Sequence, residues 1–215
     1  MRKMWRNLSS KELNDYKQIN QENFGVFRPT IIQRILIFVA QKTFFKRGHL
    51  RRLITHLTYS IRKAPLDIYF RQCSYRLHFN RRNHIQFGLL ANPKYNFRDI
   101  EFLLKGSNST SNFVDIGANI GLYCQPLARN SPKGQVIAID ANPLMIQQLN
   151  FNAKASNLKN LTIIFSAVSN KTGYGSLKIN NDDDAIVALN EENNDGIPVR
   201  TLKDILIEHK IREIY

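Results

Sequence analysis

The sequence predicts an open α/β fold built on parallel strands, preceded by a basic helical extension and a small antiparallel β region. Three observations carry that expectation. Phe113-Val114, ended by Asp115, and Leu161–Phe165 are short β-prone runs, and Gln135–Asp140 is almost continuously apolar, as a strand covered on both faces of a parallel sheet is. Helix-start signals separate them: two glycines at 117 and 121, then Asn142-Pro143. Charge divides the chain as well. Residues 1–110 hold 21 Lys+Arg against 6 Asp+Glu and residues 111–215 hold 10 against 11, so +15 and −1 make up the formal net charge of +14. The expected organisation is therefore a basic helical extension over 1–64, a β/helix lead-in over 65–110 and an α/β domain over 111–215.

With 215 residues, 43% hydrophobic and 10% aromatic, the chain can bury a core and is not of the disordered class. Cys73 and Cys124 form no disulfide framework, and no Cys or His spacing suits a metal. A reducing, cytoplasmic setting follows, and residues 1–18 lack the apolar centre of a secretory signal. The one-sided basic charge points to an anionic partner: nucleic acid, a membrane surface or a phosphorylated substrate. General solubility explains it equally well.

In order, residues 1–25 read as one amphipathic helix starting near Ser9 or Ser10, with Glu12 completing a capping box. Pro29 opens a strongly apolar helix over Thr30–Lys46, carrying Ile31, Ile35, Leu36, Phe38 and Val39. It is short of the roughly 20 apolar residues a bilayer span needs. Packing on the main domain is its simplest role; followed by Lys46, Arg47, Arg51 and Arg52, it also suits an anionic membrane surface. From Leu66 to Leu90 the pattern alternates, Tyr75, Leu77 and Phe79 against Arg76, His78 and Asn80, predicting a half-buried antiparallel sheet. His78 and His84 read as surface residues. Phe97 to Leu104 reads as a helix stopped by Gly106, and 107–111 as a linker.

Past the glycine turn, a helix over Leu122–Arg129 is shortened by Pro126. Gln135–Asp140 is the second strand, Asn142 caps a helix from Pro143 to Ala155, and Leu161–Phe165 is the third strand. Ser166 to Ser169 then forms a turn at that strand's end, and 174–179 a hairpin strand. The acidic stretch 180–196, with Asp182, Asp183, Asp184, Glu191 and Glu192, reads as a mobile loop rather than a metal site. Thr201 caps a last helix reaching about His209.

The stretch Phe113-Val-Asp-Ile-Gly-Ala-Asn-Ile-Gly121 narrows the function. Strand, tight turn and helix in succession aim free backbone N–H groups at a ligand, and bare glycines admit it closely. A dinucleotide fingerprint would demand glycine at 119 and 122, where this chain has Asn119 and Leu122, and no Gly-Lys-Ser/Thr phosphate loop follows. Asp140 lies 19 residues beyond Gly121 (140 − 121), where α/β nucleotide folds place a carboxylate for ribose hydroxyls.

That D-x-G-x-N-x-G pattern resembles motif I of the Rossmann-like S-adenosylmethionine (SAM) methyltransferases, and Phe113 to Gly121 resembles the FkbM-type enzymes in particular. The likeness extends over about residues 65–215, through Glu101, the Ala167-Val168-Ser169 turn and Val199 to Asp204. It covers the first half of the family domain, the first strands and helices only. The fourth family strand would begin where the chain ends, so an incomplete Rossmann-like sheet is expected. The resemblance implies SAM as cofactor. It places Asp115, Gly117, Ala118, Asn119 and Gly121 around the donor's amino-acid end, Asp140 and Ala141 at the ribose, and Ser166 and Ala167 at the adenine. It implies no metal and names no catalytic base. The acceptor it implies is a hydroxyl on a sugar or secondary metabolite. An RNA methyltransferase whose basic lobe tracks phosphates, and a non-catalytic SAM- or partner-binding remnant, stand beside that reading.

Overall fold

The first helix begins at Ser9 because two side chains satisfy each other's backbone. The Ser9 hydroxyl accepts from the Glu12 N–H at 3.3 Å, and the Glu12 carboxylate accepts from the Ser9 N–H at 2.8 Å, opening α1 (Ser10–Ile19). The computed structural model describes residues 5–6, 9–43, 48–79, 83–180, 187–190 and 196–214. Ahead of α1, Trp5–Arg6, for which no strand was expected, forms a short strand, β1, paired antiparallel with the later strand β8 (Gly173–Asn180). A second capping box, Thr30 with Gln33, opens α2 (Ile31–Lys42), which stops short of the expected Lys46. An unanticipated helix, α3 (Gly48–Ser60), packs beside it, joined where the Gln33 amide donates to the Thr58 carbonyl at 2.8 Å. Among the described residues no helix is long and apolar enough to cross a membrane.

β2 (Leu66–Phe70) and β3 (Cys73–Leu77) form the expected antiparallel hairpin, Leu66 opposite Leu77 and Phe70 opposite Cys73. Two features of that region differ from the sequence reading. β3 is buried along its whole length rather than on one face, because the helix α7 (Pro143–Ala155) covers the side bearing Ser74 and Arg76. Asn152 on α7 accepts from the Arg76 N–H at 2.8 Å, and Ser156, just beyond, accepts from the Ser74 N–H at 2.8 Å. The sheet also ends at Leu77: His84–Ala91 is a helix, α4, capped by Asn83, whose side-chain oxygen accepts from the N–H groups of Ile85 and Gln86. His78, expected at the surface, is buried and stacked on Tyr16 at 4.2 Å between centroids. Burial and the neighbouring Arg76 charge push its imidazole down to about 3, so it is neutral.

Arg76 fastens the extension to this hairpin. Its guanidinium pairs with both oxygens of buried Asp67, at 2.8 and 3.0 Å, and donates to the carbonyls of Ile19, Glu22 and Asn23 just past α1. It lies 3.9 Å from the Phe151 ring centroid and 4.7 Å from that of Phe27. After α5 (Phe97–Gly106), the chain enters three parallel strands, β4 (Phe113–Ile116), β5 (Val136–Asp140) and β6 (Leu161–Phe165), side by side in that order. Phe113 stands opposite Val136, and Val136 opposite Leu161. The helix α6 (Cys124–Asn130) connects the first two and α7 the second two.

Beyond Ser166 the chain joins a second sheet. β7 (Ala167–Ser169) runs parallel to β10 (Ile197–Thr201), which pairs antiparallel with β8, and β8 pairs in turn with β9 (Val187–Asn190). β9 lies inside the stretch expected to be a mobile loop; Asp182, Asp183, Asp184, Glu191 and Glu192 fall outside the described residues. α8 (Leu202–Glu208) starts at Thr201, which accepts from the Asp204 N–H as expected. One hydrophobic cluster joins Tyr16, Tyr75, Leu77, Leu89, Ile120 and Leu144, so extension, hairpin and glycine turn rest on a common core. The fold is mixed α/β with a partial parallel sheet.

Candidate functional site

The turn after β4 is left-handed at three points, Gly117 (φ +78°), Asn119 (φ +50°) and Gly121 (φ +91°). Asn119 stands where a dinucleotide fingerprint has glycine. Asparagine is among the few residues that tolerate this conformation, and here its side-chain oxygen also accepts from the Ile120 N–H at 3.0 Å. Gly121 is required by packing: a Cβ there would lie 2.6 Å from Leu149 Cδ1 and 2.9 Å from Gln125 Cγ. The turn is clamped from below. The Tyr75 hydroxyl donates to the Gly121 carbonyl at 3.0 Å, and the Asn152 amide donates to that of Ile120 at 3.1 Å.

The expectation of free N–H groups aimed at a ligand is not met. Gly117 and Ala118 donate to the Ile139 carbonyl at 2.8 and 3.0 Å, Asn119 donates to Asp140 and Gly121 to the Ala118 carbonyl. The turn satisfies its own amides, so what it offers a ligand is shape. Gly117 supplies that shape, since a Cβ built there meets nothing within 4 Å.

Asp140, at the end of β5, is buried against this turn. One carboxylate oxygen accepts from the Asn119 N–H and the other from the Asn142 N–H, both at 2.7 Å. Burial raises its carboxyl above the usual carboxylate range, opposed by the N–H groups of Asn142, Asn119 and Ala141. Each oxygen keeps a second lone pair for a hydroxyl donor. Asp115 sits behind the turn, where it accepts from the Cys124 N–H at 3.1 Å and orders the start of α6. Burial pushes its carboxyl up to about 6, with the nearby Asp140 charge adding to the rise.

A raised carboxyl makes the folded state bind its proton more tightly than the unfolded chain. Asp115 is therefore expected to reduce stability as pH rises from about 4 to about 6, by about 3 kcal/mol, and to have no further effect above that. In Asp115→Asn, which keeps an acceptor for Cys124, the urea midpoint is expected to gain stability relative to the parent at pH 7 and lose the gain at pH 4. A constant offset at both pH values would show that the charge of Asp115 is not what matters.

Of the predicted residues, Gly117, Asn119, Asp140, Ala141, Ser166 and Ala167 together line a cleft of about 270 Å³ at the carboxyl ends of β4, β5 and β6. Asp115, Ala118 and Gly121 are not part of its wall; they support the turn from behind. Ser166 is held by its hydroxyl, which donates to the carbonyls of Ala167 and Pro198. Besides Ile116, Ile139, Asn142 and Val168, chain neighbours of the predicted residues, the sequence reading missed Ile85 from α4, Met145 from α7, and Leu177 and Leu189 from the β8–β9 hairpin. His84 is exposed, as expected, and it also stands on the cleft wall. The signal for His84 was local: Asn83 caps α4, and its amide lies 3.7 Å from Met145 Sδ, which sets the helix start against the cleft. Among the described residues no group of three or more His, Cys, Asp or Glu could hold a metal ion.

No family model matches the chain, and no curated protein does. Solved structures resemble it. The TYW2 protein of M. jannaschii, solved with AdoMet, shares 20% identity over 50% of this chain and 51% of its own, with a TM-score of 0.37. The Pyrococcus abyssi tRNA (uracil-54, C5)-methyltransferase, solved with S-adenosyl-L-homocysteine, shares 12% over 49% of this chain and 27% of its own, at 0.34. Coclaurine N-methyltransferase, bound to N-methylheliamine and SAH, shares 12% over 75% of this chain and 55% of its own, at 0.32. The chain spans about half the length of the TYW2 structures it matches.

Proposed function

We propose that the chain is a SAM-dependent methyltransferase of FkbM type, acting on a hydroxyl of a sugar or secondary metabolite in a reducing, cytoplasmic setting. The observation that carries this reading is the cleft itself: an open Gly117 and a buried Asp140 meet at the carboxyl ends of parallel strands, where open α/β sheets take their ligands. The residues fit the donor. Gly117 leaves room for it, Asp140 has lone pairs for two vicinal hydroxyls, and Ala141, Ser166, Ala167 and Val168 offer a mostly apolar wall for a flat base. Both cysteines are buried thiols, in keeping with that setting.

SAM, when bound, supplies a methyl group already activated by its sulfonium. What remains for the protein is to hold donor and acceptor in line, exclude water and receive the acceptor's proton. Asp140 is occupied by backbone N–H groups, so we assign the proton to the imidazole of His84, which lines the same cleft. Leu177 and Leu189 add apolar wall to the cleft from the β8–β9 hairpin.

The test is transfer of labelled methyl from SAM to a panel of hydroxyl acceptors. Parent protein is expected to label a sugar or polyol acceptor. His84→Gln is expected to lower kcat about 10²-fold or more with the SAM Kd unchanged. Label appearing in RNA instead, with affinity falling steeply as salt rises, would replace the hydroxyl reading by the RNA reading that the basic extension also suits.

A further inference from the structure

The helices that best match the expected extension turn their apolar sides the wrong way for a simple packing role. On α2 the inward residues are Gln33, Leu36, Ile37 and Ala40, while Ile31, Ile32, Ile35, Phe38 and Val39 face out, Ile31 at 77% and Phe38 at 60% exposure. On α3, Leu50, Leu53 and Leu57 face out, continued by Ile61, spaced at three, four and four residues along one stripe. The two helices lie side by side, and each leaves an apolar stripe exposed, the kind of surface that marks an interaction site.

The charge around that surface identifies the partner. Residues 23–66 contain Arg28, Arg34, Lys42, Lys46, Arg47, Arg51, Arg52, Arg62 and Lys63, nine cations, and not one Asp or Glu. Arg34 and Lys42 flank the α2 stripe and Arg52 the α3 stripe, all exposed. A second copy of this chain would bring Arg34, Lys42 and Arg52 against their own counterparts. RNA would find Phe38 and Tyr69 to stack on, but the stripes are otherwise aliphatic where it needs stacking or hydrogen-bonding groups. We propose that this face docks on an anionic lipid bilayer, the two stripes entering the interface and the cations lying among the headgroups.

One further feature suits that partner. Where α2 meets β2, a groove of about 770 Å³ is lined by Arg28 and Arg34, with Phe38 and Tyr69 on its walls; Arg71 also lines it but is paired with Glu101 at 2.7 Å. Asp67 also lines it, but Arg76 takes up its carboxylate. Phe38 belongs both to this groove and to the outward stripe, so an anionic headgroup in the groove lies next to acyl chains under the stripe. The inference goes beyond the proposed methyl transfer and does not depend on it.

Sedimentation of the full chain with vesicles tests it, in the absence of SAM. Binding is expected to vesicles of phosphatidylcholine mixed with phosphatidylglycerol, to be lost on phosphatidylcholine alone and to weaken in high salt. Ile35→Ser with Leu53→Ser is expected to weaken partition about tenfold or more, and so is Arg34→Glu with Arg52→Glu. All four positions are exposed, and unchanged thermal melting of each double variant shows that the fold is intact. No binding to the anionic vesicles, equal binding to both vesicle types, or parent-like binding by the Ile35/Leu53 variant would overturn the proposal. So would binding to single-stranded RNA without binding to vesicles.

Discussion

Arg76→Leu is expected to cost on the order of 3–5 kcal/mol of stability, a large share of the roughly 5–15 kcal/mol a folded domain holds. The side chain is fully buried and satisfies five acceptors at once, two on Asp67 and three carbonyls on residues 19–23. Leucine removes every one of those donors. Asp67 keeps the N–H groups of Gly25 and Phe27, at 2.7 and 3.2 Å, but its charge is left without a counter-charge in the interior. Arg76→Lys should recover only part of the loss, because an ammonium cannot present a planar fork to a carboxylate and three carbonyls. The double variant Arg76→Leu, Asp67→Leu should be less destabilised than the sum of the two single changes, since neither charge is then stranded. Urea unfolding followed by circular dichroism measures all four proteins. A loss below about 1 kcal/mol in Arg76→Leu, within the range of an exposed ion pair, would show that this residue does not fasten the extension to the hairpin.

Gly117→Leu is expected to weaken SAM binding by a hundredfold or more, equivalent to about 2.7 kcal/mol. The backbone at 117 is left-handed and the space above it is open, so a leucine side chain would project where nothing now stands within 4 Å. The folded state should lose only about 1–2 kcal/mol, the conformational cost of a non-glycine residue there. Gly121 makes the contrast. A side chain at 121 would meet Leu149 and Gln125, so substitution there is expected to damage the fold before it damages binding. Melting curves beside calorimetric titrations separate the two. Equal binding by Gly117→Leu and the parent would place the ligand elsewhere.

The sequence made some parts of this molecule legible and hid others for identifiable reasons. Ser9 with Glu12, Asn142 with Pro143, and Thr201 are local signals, and the helices they start lie where expected. The three parallel strands were readable as short β-prone runs, β5 the clearest because it is buried throughout, whereas β4 and β6 leave Ile116 and Phe165 exposed. β1 was not, because two residues form a strand only by pairing with Asn180 and Ile179 far along the chain. α4 was hidden by an almost uniformly apolar sequence, in which period 2 and period 3.6 look alike. Arg76 and His78 seemed to belong to a solvated face, since nothing local announces that α7 and α1 cover it.

The same distinction runs through the cleft. Gly117, Asn119 and Asp140 could be named from spacing, because the turn and the strand end that hold them are adjacent in sequence logic. Met145, Leu177 and Leu189 reach the wall from elements whose placement only the tertiary fold decides. The amide count also needed coordinates: spacing suggested open N–H groups, whereas Ile139, Asp140 and Ala118 accept from four of them.

The account depends most on the methyl donor entering the cleft between Gly117 and Asp140, and titrating SAM into the unmodified full chain by calorimetry tests this directly. The expected result is saturable one-to-one binding that S-adenosylhomocysteine displaces. The absence of any saturable heat up to millimolar SAM, from protein whose melting transition shows it to be folded, would contradict it.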